Sequence, residues 1–247
     1  MDILCASQLQ FGPRNHNGKL ELTPRSSGTF REYFMMNQQD KAWIKPSQLL
    51  GPAGHFECSR RWKQYAQRMQ FFKLLKILRG GINLNNAWKE NIRDTTILVG
   101  QSQQSNNLAQ AFLWNMIAIE TLLAHPNDTY SKSLPERISA FIGWSSNWEI
   151  QNYQVRIEEL YSERCKLVHD GKMELISKED LLFSDHLILN ALYNVVAHIN
   201  LFKSKDDLIV FSEKIKADKI LDIKTKVTPK TVIHWGQPNF KPEDLNI

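Results

Sequence analysis

The sequence has few cysteines and no long apolar run, and these two absences exclude several classes of protein. Its three cysteines, Cys5, Cys58 and Cys165, are far apart and form no pair of metal-binding spacing. Neither a disulfide framework nor a zinc knuckle is therefore expected. No segment approaches the roughly 18 apolar residues of a membrane span, and the N-terminus lacks the basic and apolar regions of a secretory signal. These absences favour a cytoplasmic protein with reduced thiols and no membrane partner.

The sequence also lacks a strong charge excess, a glycine-rich phosphate loop and a carboxylate cluster. Lys and Arg number 31 against 26 Asp and Glu, which gives a net charge of +5. Such a mild excess permits a nucleic-acid partner but does not require one. Nucleotide transfer or binding at a glycine-rich loop is disfavoured, and no metal or other cofactor is expected.

The composition changes near residue 57, which suggests the domain organisation. Earlier residues include many turn formers, an Asn-Gly pair typical of hairpins, and candidate strands at Lys19–Thr23 and Thr29–Met36. We therefore predict a small β-containing or irregular N-terminal subdomain at residues 1–56. Residues 57–203 are predicted to be helical, and residues 204–247 to form a short lysine-rich C-terminal extension.

Apolar residues at three- and four-residue steps predict a series of helices after residue 57. Residues 82–100 are ambiguous, and their pattern is compatible with a short helix together with a strand. The fold class is expected to be mainly α, with a compact helical bundle at about residues 104–203 whose short connections favour antiparallel neighbours. The first two expected helices are Ser59–Arg79 and Asn106–Ala124, and the third opens with a capping box at Ser133–Glu136 and runs to about Trp144. A fourth, Trp148–Val168, has Gly171 as its C-terminal stop, and a fifth, capped by Ser177–Asp180, runs to about Phe202.

The stretch Tyr161–Lys172 (YSERCKLVHDGK) ends one of these helices and holds an arginine and a histidine five residues apart. On a regular helix, Arg164 and His169 point in directions about 140° apart. They converge only if the helix frays before His169, which the following Asp-Gly pair would permit. A bland alternative stays open, in which His169 complements the helix dipole and Arg164 pairs with Glu159 or Glu163 on the surface.

Three segments occur in a characteristic order: AIETLL (Ala118–Leu123), SLPERISAFIG (Ser133–Gly143) and YSERCKLVHDG (Tyr161–Gly171). Together they resemble the HEPN superfamily (higher eukaryotes and prokaryotes nucleotide-binding), in particular its Apea-like branch. That branch shows an alE-x-L core, then S-x-x-x-R-x-A-x-L-x-G, then a helix that ends in Y-x-x-R-[SN]-x-[IVL]-V-H-G. The order and spacing agree, so the resemblance covers about residues 104–203.

The resemblance implies a helical domain, usually a homodimer, in which two Arg-x4-His motifs meet across the interface. Many members are metal-independent endoribonucleases of antiphage defence or toxin systems, whereas others have lost activity and act as scaffolds. An endoribonuclease is therefore the leading expectation, and a non-catalytic scaffold that binds RNA or a partner protein is the alternative. Two departures favour the alternative: Cys165 replaces a small polar residue, and Asp170 separates His169 from the glycine.

The residue types of the motif suit RNA cleavage by attack of the 2′-OH on the adjacent phosphate. An imidazole such as that of His169 can exchange a proton near neutral pH, either with the 2′-OH or with the leaving 5′-oxygen. The guanidinium of Arg164 offers a fixed fork of donors to the phosphate oxygens, whose charge grows in the transition state. A dimer would supply two histidines, one for each proton transfer.

Glu120 is the third candidate, because it lies between Ile119 and Leu122 on a largely apolar helix. A buried carboxylate at such a position needs a partner. In the functional interpretation Glu120 orients Arg164 or His169. An ordinary exposed helical glutamate is the equally open alternative.

Basic residues interleaved with aromatic ones on the Ser59–Arg79 helix are candidates for contact with an RNA backbone. The RNA-binding candidates are Arg60, Arg61 and Lys63 on this helix and Lys166 within the motif. A solvated basic helix face with an apolar core face is the alternative interpretation.

Overall fold

The computed structural model describes residues 2–7, 34–36, 42–44, 60–105, 107–126, 128–142, 153–223, 227 and 229–232. Within these ranges the chain is mainly helical and forms an α-helical bundle, which confirms the expected fold class. None of the helices in these ranges combines the length and apolar character that crossing a membrane requires. The predicted strand Lys19–Thr23 lies outside the described residues.

Nine helices and two short strands occur in the described part of the chain. The strands pair antiparallel, with Phe34 opposite Ile44, and the first of them falls within the predicted strand Thr29–Met36. Two single-turn 3₁₀ helices lie at Met173–Leu175 and Ile199–Leu201. The elements are α1 Asp2–Ala6, β1 Phe34–Met36, β2 Ala42–Ile44, α2 Arg60–Arg68, α3 Phe71–Leu78, α4 Asn86–Gln104, α5 Leu108–Leu123, α6 Tyr130–Phe141, α7 Tyr153–Asp170, α8 Lys178–Ala197 and α9 Lys205–Ile220.

Helix α8 is the centre of the bundle and packs against α3, α4, α5 and α6. It begins with the predicted cap: the Asp180 amide donates to Ser177 Oγ, and the Ser177 amide donates to the Asp180 carboxylate at 2.8 Å. Residues 181–192 are all buried, polar ones included. A helix buried on every side has no solvent face, so its polar side chains need partners from neighbouring helices.

Asp185 of α8 is the clearest case of such a buried polar side chain. Its Oδ1 accepts hydrogen bonds from Gln103 Nε2 of α4 and Asn115 Nδ2 of α5, both at 2.8 Å. Asn115 Nδ2 also lies 2.9 Å from Ser184 Oγ. All four side chains are buried. This cluster joins three helices through directional contacts, which apolar packing alone does not provide.

The single helix predicted at Ser59–Arg79 is wrong, because the chain turns at Gln70 and forms α2 and α3. Gln70 adopts a left-handed conformation with φ of 61°. Met69 and Phe71 both pack into one small apolar cluster with Ala66. On a continuous helix, residues 69 and 71 would face about 200° apart. The turn therefore lets both side chains reach the same cluster.

The short helix and strand considered for residues 82–100 are replaced by one long helix, α4. The run of β-branched residues that favours a strand is accommodated because two threonines bond within the helix. Thr95 Oγ1 donates to Asn91 O and Thr96 Oγ1 donates to Ile92 O, each at 2.7 Å. Close packing of α4 on α5 then decides the conformation.

Helix α6 begins at Tyr130 rather than at the predicted Ser133 capping box. Pro135 lies inside the helix, where its missing N–H removes one helical hydrogen bond, and the residue is buried. The helix ends at Phe141, before the expected Trp144.

The bundle includes helices from both flanking regions. Helix α1 packs on α3 and α4, where Gln104 Nε2 donates to Asp2 Oδ1 at 2.7 Å. Helix α9 packs on α5 and α6. Part of the predicted N-terminal subdomain and of the C-terminal extension therefore completes the helical core.

Residues 229–232 are held on α8 by two buried asparagines that imitate a peptide backbone. Asn194 Nδ2 donates to Lys230 O and Asn194 Oδ1 accepts from Lys230 N, both at 2.8 Å. Asn190 Oδ1 accepts from Val232 N at 2.7 Å. Thr231 Oγ1 donates to Ile142 O at 2.9 Å, which links the same segment to the end of α6.

Replacing Asn194 with alanine is expected to release the Lys230 amide. Losing both bonds to Lys230 should cost roughly 1–3 kcal/mol locally and speed exchange of that amide by about tenfold or more. Hydrogen exchange measured on the peptide that spans residues 227–232 checks this. Asn200→Ala, an exposed asparagine in the turn after α8, is the matched control. Equal exchange in both variants would show that Asn194 does not hold the segment.

Candidate functional site

Helix α7 carries the motif residues and turns one face toward the bundle. Tyr153, Ile157, Leu160 and Leu167 are buried along this face. Arg164 lies within the same stripe, since it is four residues after Leu160 and three before Leu167. Its side chain is only 20% exposed and points toward α5.

His169 lies on the opposite side of α7 and is exposed. The helix continues through Asp170 and ends at Gly171. Gly171 adopts a left-handed φ of 67°, and its N–H bonds to Leu167 O at 3.2 Å, which is a typical helix C-terminus. The fraying considered from the sequence therefore does not occur. Arg164 and His169 stay about 140° apart on a regular helix. One chain alone does not bring the two side chains together.

Arg164 contacts Glu120 of α5, as one of the two interpretations of Glu120 requires. Arg164 Nη2 donates to Glu120 Oε2 at 3.0 Å, and the carboxylate side chain is only 13% exposed. The surface pairing of Arg164 with Glu159 or Glu163 is wrong. Those two glutamates lie near Arg156 instead, at 3.0 and 3.9 Å.

The Arg164–Glu120 pair is only half bonded, in contrast to a second arginine–carboxylate pair of the bundle. Both Nη atoms of Arg137 donate hydrogen bonds to the Asp128 carboxylate. Nη1 also donates to Leu123 O at 2.9 Å and so satisfies a carbonyl at the C-terminal end of α5. In the first pair, Arg164 Nε and Glu120 Oε1 are buried and make no hydrogen bond within the described part of the chain. Buried groups of this kind need an explanation, and a functional role is one.

The pKa values of the Glu120 and Asp128 carboxyls are shifted in opposite directions, in agreement with their different hydrogen bonding. Burial raises the pKa of Glu120, and the charge and hydrogen bond of Arg164 offset only part of that rise. Burial also opposes ionisation of Asp128, but the hydrogen bonds from Arg137 and from the His125 amide bring the pKa of Asp128 below its ordinary value. Asp128 is therefore a satisfied structural partner, whereas Glu120 leaves Arg164 less tightly neutralised.

Replacing Glu120 with glutamine is expected to change how stability depends on pH. The raised pKa means that the folded state keeps the Glu120 proton longer than the unfolded state does. Its contribution to stability is present below the unfolded pKa of about 4.5 and is lost as pH rises through the folded pKa. As pH rises through that range, wild type loses this contribution and Glu120→Gln does not. The unfolding free energy of Glu120→Gln minus that of wild type should therefore increase with pH. Urea unfolding at a series of pH values measures the difference.

The matched control for this experiment is Glu158→Gln. Glu158 is an exposed glutamate of α7 that makes no ion pair within the described ranges. Both variants remove one formal negative charge, so a pH effect of net charge alone would appear in both. Parallel pH curves for wild type and Glu120→Gln would contradict the burial of an ionisable Glu120.

Tyr161 lies beside Arg164, and Tyr130 lies beside Tyr161; neither tyrosine was assigned a role from the sequence. The Tyr161 ring centroid lies 6.0 Å from Arg164 Cζ, and the ring meets Tyr130 of α6 edge to face at 6.3 Å. Burial, followed by the neighbouring Cys165 thiol, raises the pKa of Tyr161. Tyr161 starts the quoted motif, but only the fold reveals Tyr130 as its neighbour.

The RNA-binding candidates lie on two separate elements. Arg60 and Lys63 are exposed on α2, and the side chain of Arg61 lies outside the described residues. Lys166 is exposed on α7, three residues before His169 and therefore on the same solvent face. Helix α2 packs on α3, whereas α7 packs on α5 and α6.

No group of three or more metal-ligating side chains occurs within the described ranges. No family model, curated protein or solved structure matches this chain. The functional argument therefore depends on the geometry around Arg164 and His169.

Proposed function

We propose that this protein is a HEPN-type endoribonuclease that cleaves RNA without a metal ion and acts as a homodimer in antiphage defence or a toxin system. Arg164 would stabilise the phosphate, His169 would transfer protons, and Glu120 would position Arg164. The alternative, a non-catalytic scaffold of the same type, is considered below.

The observation that carries the proposal is the half-bonded Arg164. Glu120 holds the guanidinium through one hydrogen bond, and the buried Nε makes none within the described residues. An arginine that serves only the fold is expected to bond like Arg137, with both Nη atoms on one carboxylate. The bonds of Arg164 within the described residues thus leave its guanidinium incompletely bonded, and a phosphate oxygen matches a guanidinium in charge and bond geometry.

The chemistry balances with the side chains of the motif. One His169 removes the 2′-OH proton as the 2′-oxygen attacks phosphorus, and Arg164 stabilises the added negative charge on the phosphate oxygens. The bond to the 5′-oxygen breaks, and a second, protonated His169 donates a proton to that oxygen. The products are a 2′,3′-cyclic phosphate and a free 5′-OH.

A second copy of the chain would supply the histidine that a single copy does not place beside Arg164. His169 faces solvent, away from its own Arg164, so the proposed site requires a histidine from the partner. Exposed apolar residues lie beside His169: Val168 at the end of α7 is 47% exposed, and Met173 in the following turn is 61% exposed. Apolar side chains next to an exposed polar residue are typical of protein interfaces.

Incubating the wild-type protein and Arg164→Ala with a mixed RNA pool in EDTA tests the proposal. Cleavage by wild type alone, with 2′,3′-cyclic phosphate ends, is the expected result. Loss of cleavage in EDTA that returns with a divalent cation would overturn metal independence. Equal cleavage by both proteins would remove Arg164 from the reaction.

The scaffold alternative is favoured by one specific observation. Arg164 and His169 lie apart within a single chain, and the guanidinium is already bonded to Glu120. In a scaffold this pair would simply join α5 to α7. A folded homodimer that binds RNA but never cleaves it would favour this second function.

A further inference from the structure

The basic residues of this protein are unevenly distributed along the chain. Residues 58–89 contain eight Lys and Arg and no Asp or Glu, while the whole chain has a net charge of +5. The rest of the chain therefore has more acidic than basic residues. Seven of these eight cations lie on α2, on α3 or directly after α3, and their number exceeds the net charge of the whole chain.

Five of the eight cations of this region are exposed. Within the described residues, none of the exposed cations forms an ion pair with a carboxylate. A positive surface without counter-charges lowers the cost of desolvating an anion that binds there. The exposed cations are Arg60, Lys63, Arg68, Lys76 and Arg79.

An open groove of about 370 Å³ runs along the exposed face of α3, lined by Phe72, Leu75, Lys76, Arg79 and Gly81. Phe72, Lys76 and Arg79 follow at steps of four and three residues and so share one helix face. Phe72 is 40% exposed. One aromatic and two cationic side chains thus lie along one groove.

The end of α3 shapes this groove through a Schellman motif. Gly80, at φ of 76°, donates to Ile77 O at 2.9 Å, and Gly81 donates to Lys76 O at 2.8 Å. A Cβ at Gly81 would lie only 2.8 Å from Lys76 Cγ. The glycine therefore allows the Lys76 stem to lie close against the groove wall.

The groove and the Arg164 site have no residue in common. The groove residues Phe72, Lys76 and Arg79 belong to α3 and its end, whereas Arg164 and Glu120 belong to α7 and α5. Substitutions in the groove therefore leave the Arg164–Glu120 pair unchanged, and the role of the groove can be tested separately.

We propose that this groove binds single-stranded RNA, with a base stacked on Phe72 and phosphates contacted by Lys76 and Arg79. Stacking on an aromatic ring requires an unpaired base, which favours a single strand over a duplex. A concave groove with one exposed aromatic ring suits a chain better than a flat lipid surface, which favours a broad apolar helix face. The choice of RNA over DNA rests on the proposed function.

Fluorescence anisotropy with the full-length protein and a labelled, unstructured RNA of about 20 nucleotides tests the groove. Lys76→Glu/Arg79→Glu is expected to weaken binding about 100-fold and to reduce the salt slope by about 1.4, since two phosphate contacts are lost. Phe72→Leu is expected to weaken binding about tenfold with an unchanged salt slope. The matched control is Lys132→Glu/Lys214→Glu, which changes two exposed lysines on α6 and α9 and should alter affinity less than about twofold.

Three outcomes would overturn the proposal that the groove binds RNA. They are no saturable RNA binding by wild type, an equal loss of RNA affinity in the control variant, and binding to phosphatidylserine vesicles in place of RNA. Cleavage assays separate this failure from failure of the proposed function. If the groove variants lose RNA binding but wild type never cleaves RNA, the proposed binding groove is supported and the proposed nuclease activity is rejected. Cleavage with an unchanged KM in the groove variants keeps the nuclease and rejects the groove.

Discussion

The His169→Ala variant is expected to cleave RNA about 10²–10⁴ times more slowly than wild type, with little change in RNA affinity. This is the usual range for loss of a general acid or base. His169 is exposed and makes no ion pair within the described residues, so the melting temperature should stay the same. Single-turnover cleavage at saturating RNA measures the effect. His125→Ala, which removes a partly exposed histidine beside Asp206, is the matched control and should keep full activity.

Mixing two inactive variants tests whether the site is shared between subunits. His169→Ala keeps its Arg164 and Arg164→Ala keeps its His169, so a mixed dimer regains one arginine and one histidine across the interface. Recovery of part of the activity after mixing and subunit exchange is the expected result, and it stays below wild type because the mixed dimer has only one of the two histidines that the mechanism uses. Since the two side chains lie about 140° apart on one helix, recovery would show that catalysis uses residues from both chains. Full activity of the His169→Ala variant by itself would show that His169 does not transfer protons in the reaction.

Replacing Asn115 with alanine is expected to cause the largest loss of stability, roughly 3 kcal/mol. The substitution removes one of the two amide donors to Oδ1 of the buried Asp185 carboxylate and leaves a small cavity between α5 and α8. For a domain of this size the melting temperature should fall by about 6–12 °C. Urea unfolding followed by circular dichroism at neutral pH measures the change.

Asn107→Ala on the same helix is the control for the Asn115 experiment. Asn107 is the exposed N-cap of α5, and its side chain accepts from Gln110 N at 2.9 Å. Losing such a cap costs about 1 kcal/mol. A loss from Asn115→Ala no larger than this would mean that Asp185 does not depend on the amide.

The candidate site was only partly accessible to sequence reasoning. The motif spacing identified Arg164 and His169, and the apolar surroundings of Glu120 indicated a carboxylate in need of a partner. The sequence left open whether Glu120 meets Arg164, because they are 44 residues apart on different helices. It also allowed pairing of Arg164 with its helical neighbours, which Arg156 prevents by attracting Glu159 and Glu163. Contacts between helices depend on how the helices cross, and local patterns do not encode that angle.

The fold shows the same division. The sequence by itself determined the helical class, the cap at Ser177 and the stop at Gly171, because these depend on periodicity and on bonds within a few residues. Only the tertiary structure decided the turn at Gln70 and the long helix α4. At these two places local preference is weak, and burial against neighbouring helices outweighs it. The same burial places Arg164 inward and leaves His169 in solvent, on opposite sides of one helix.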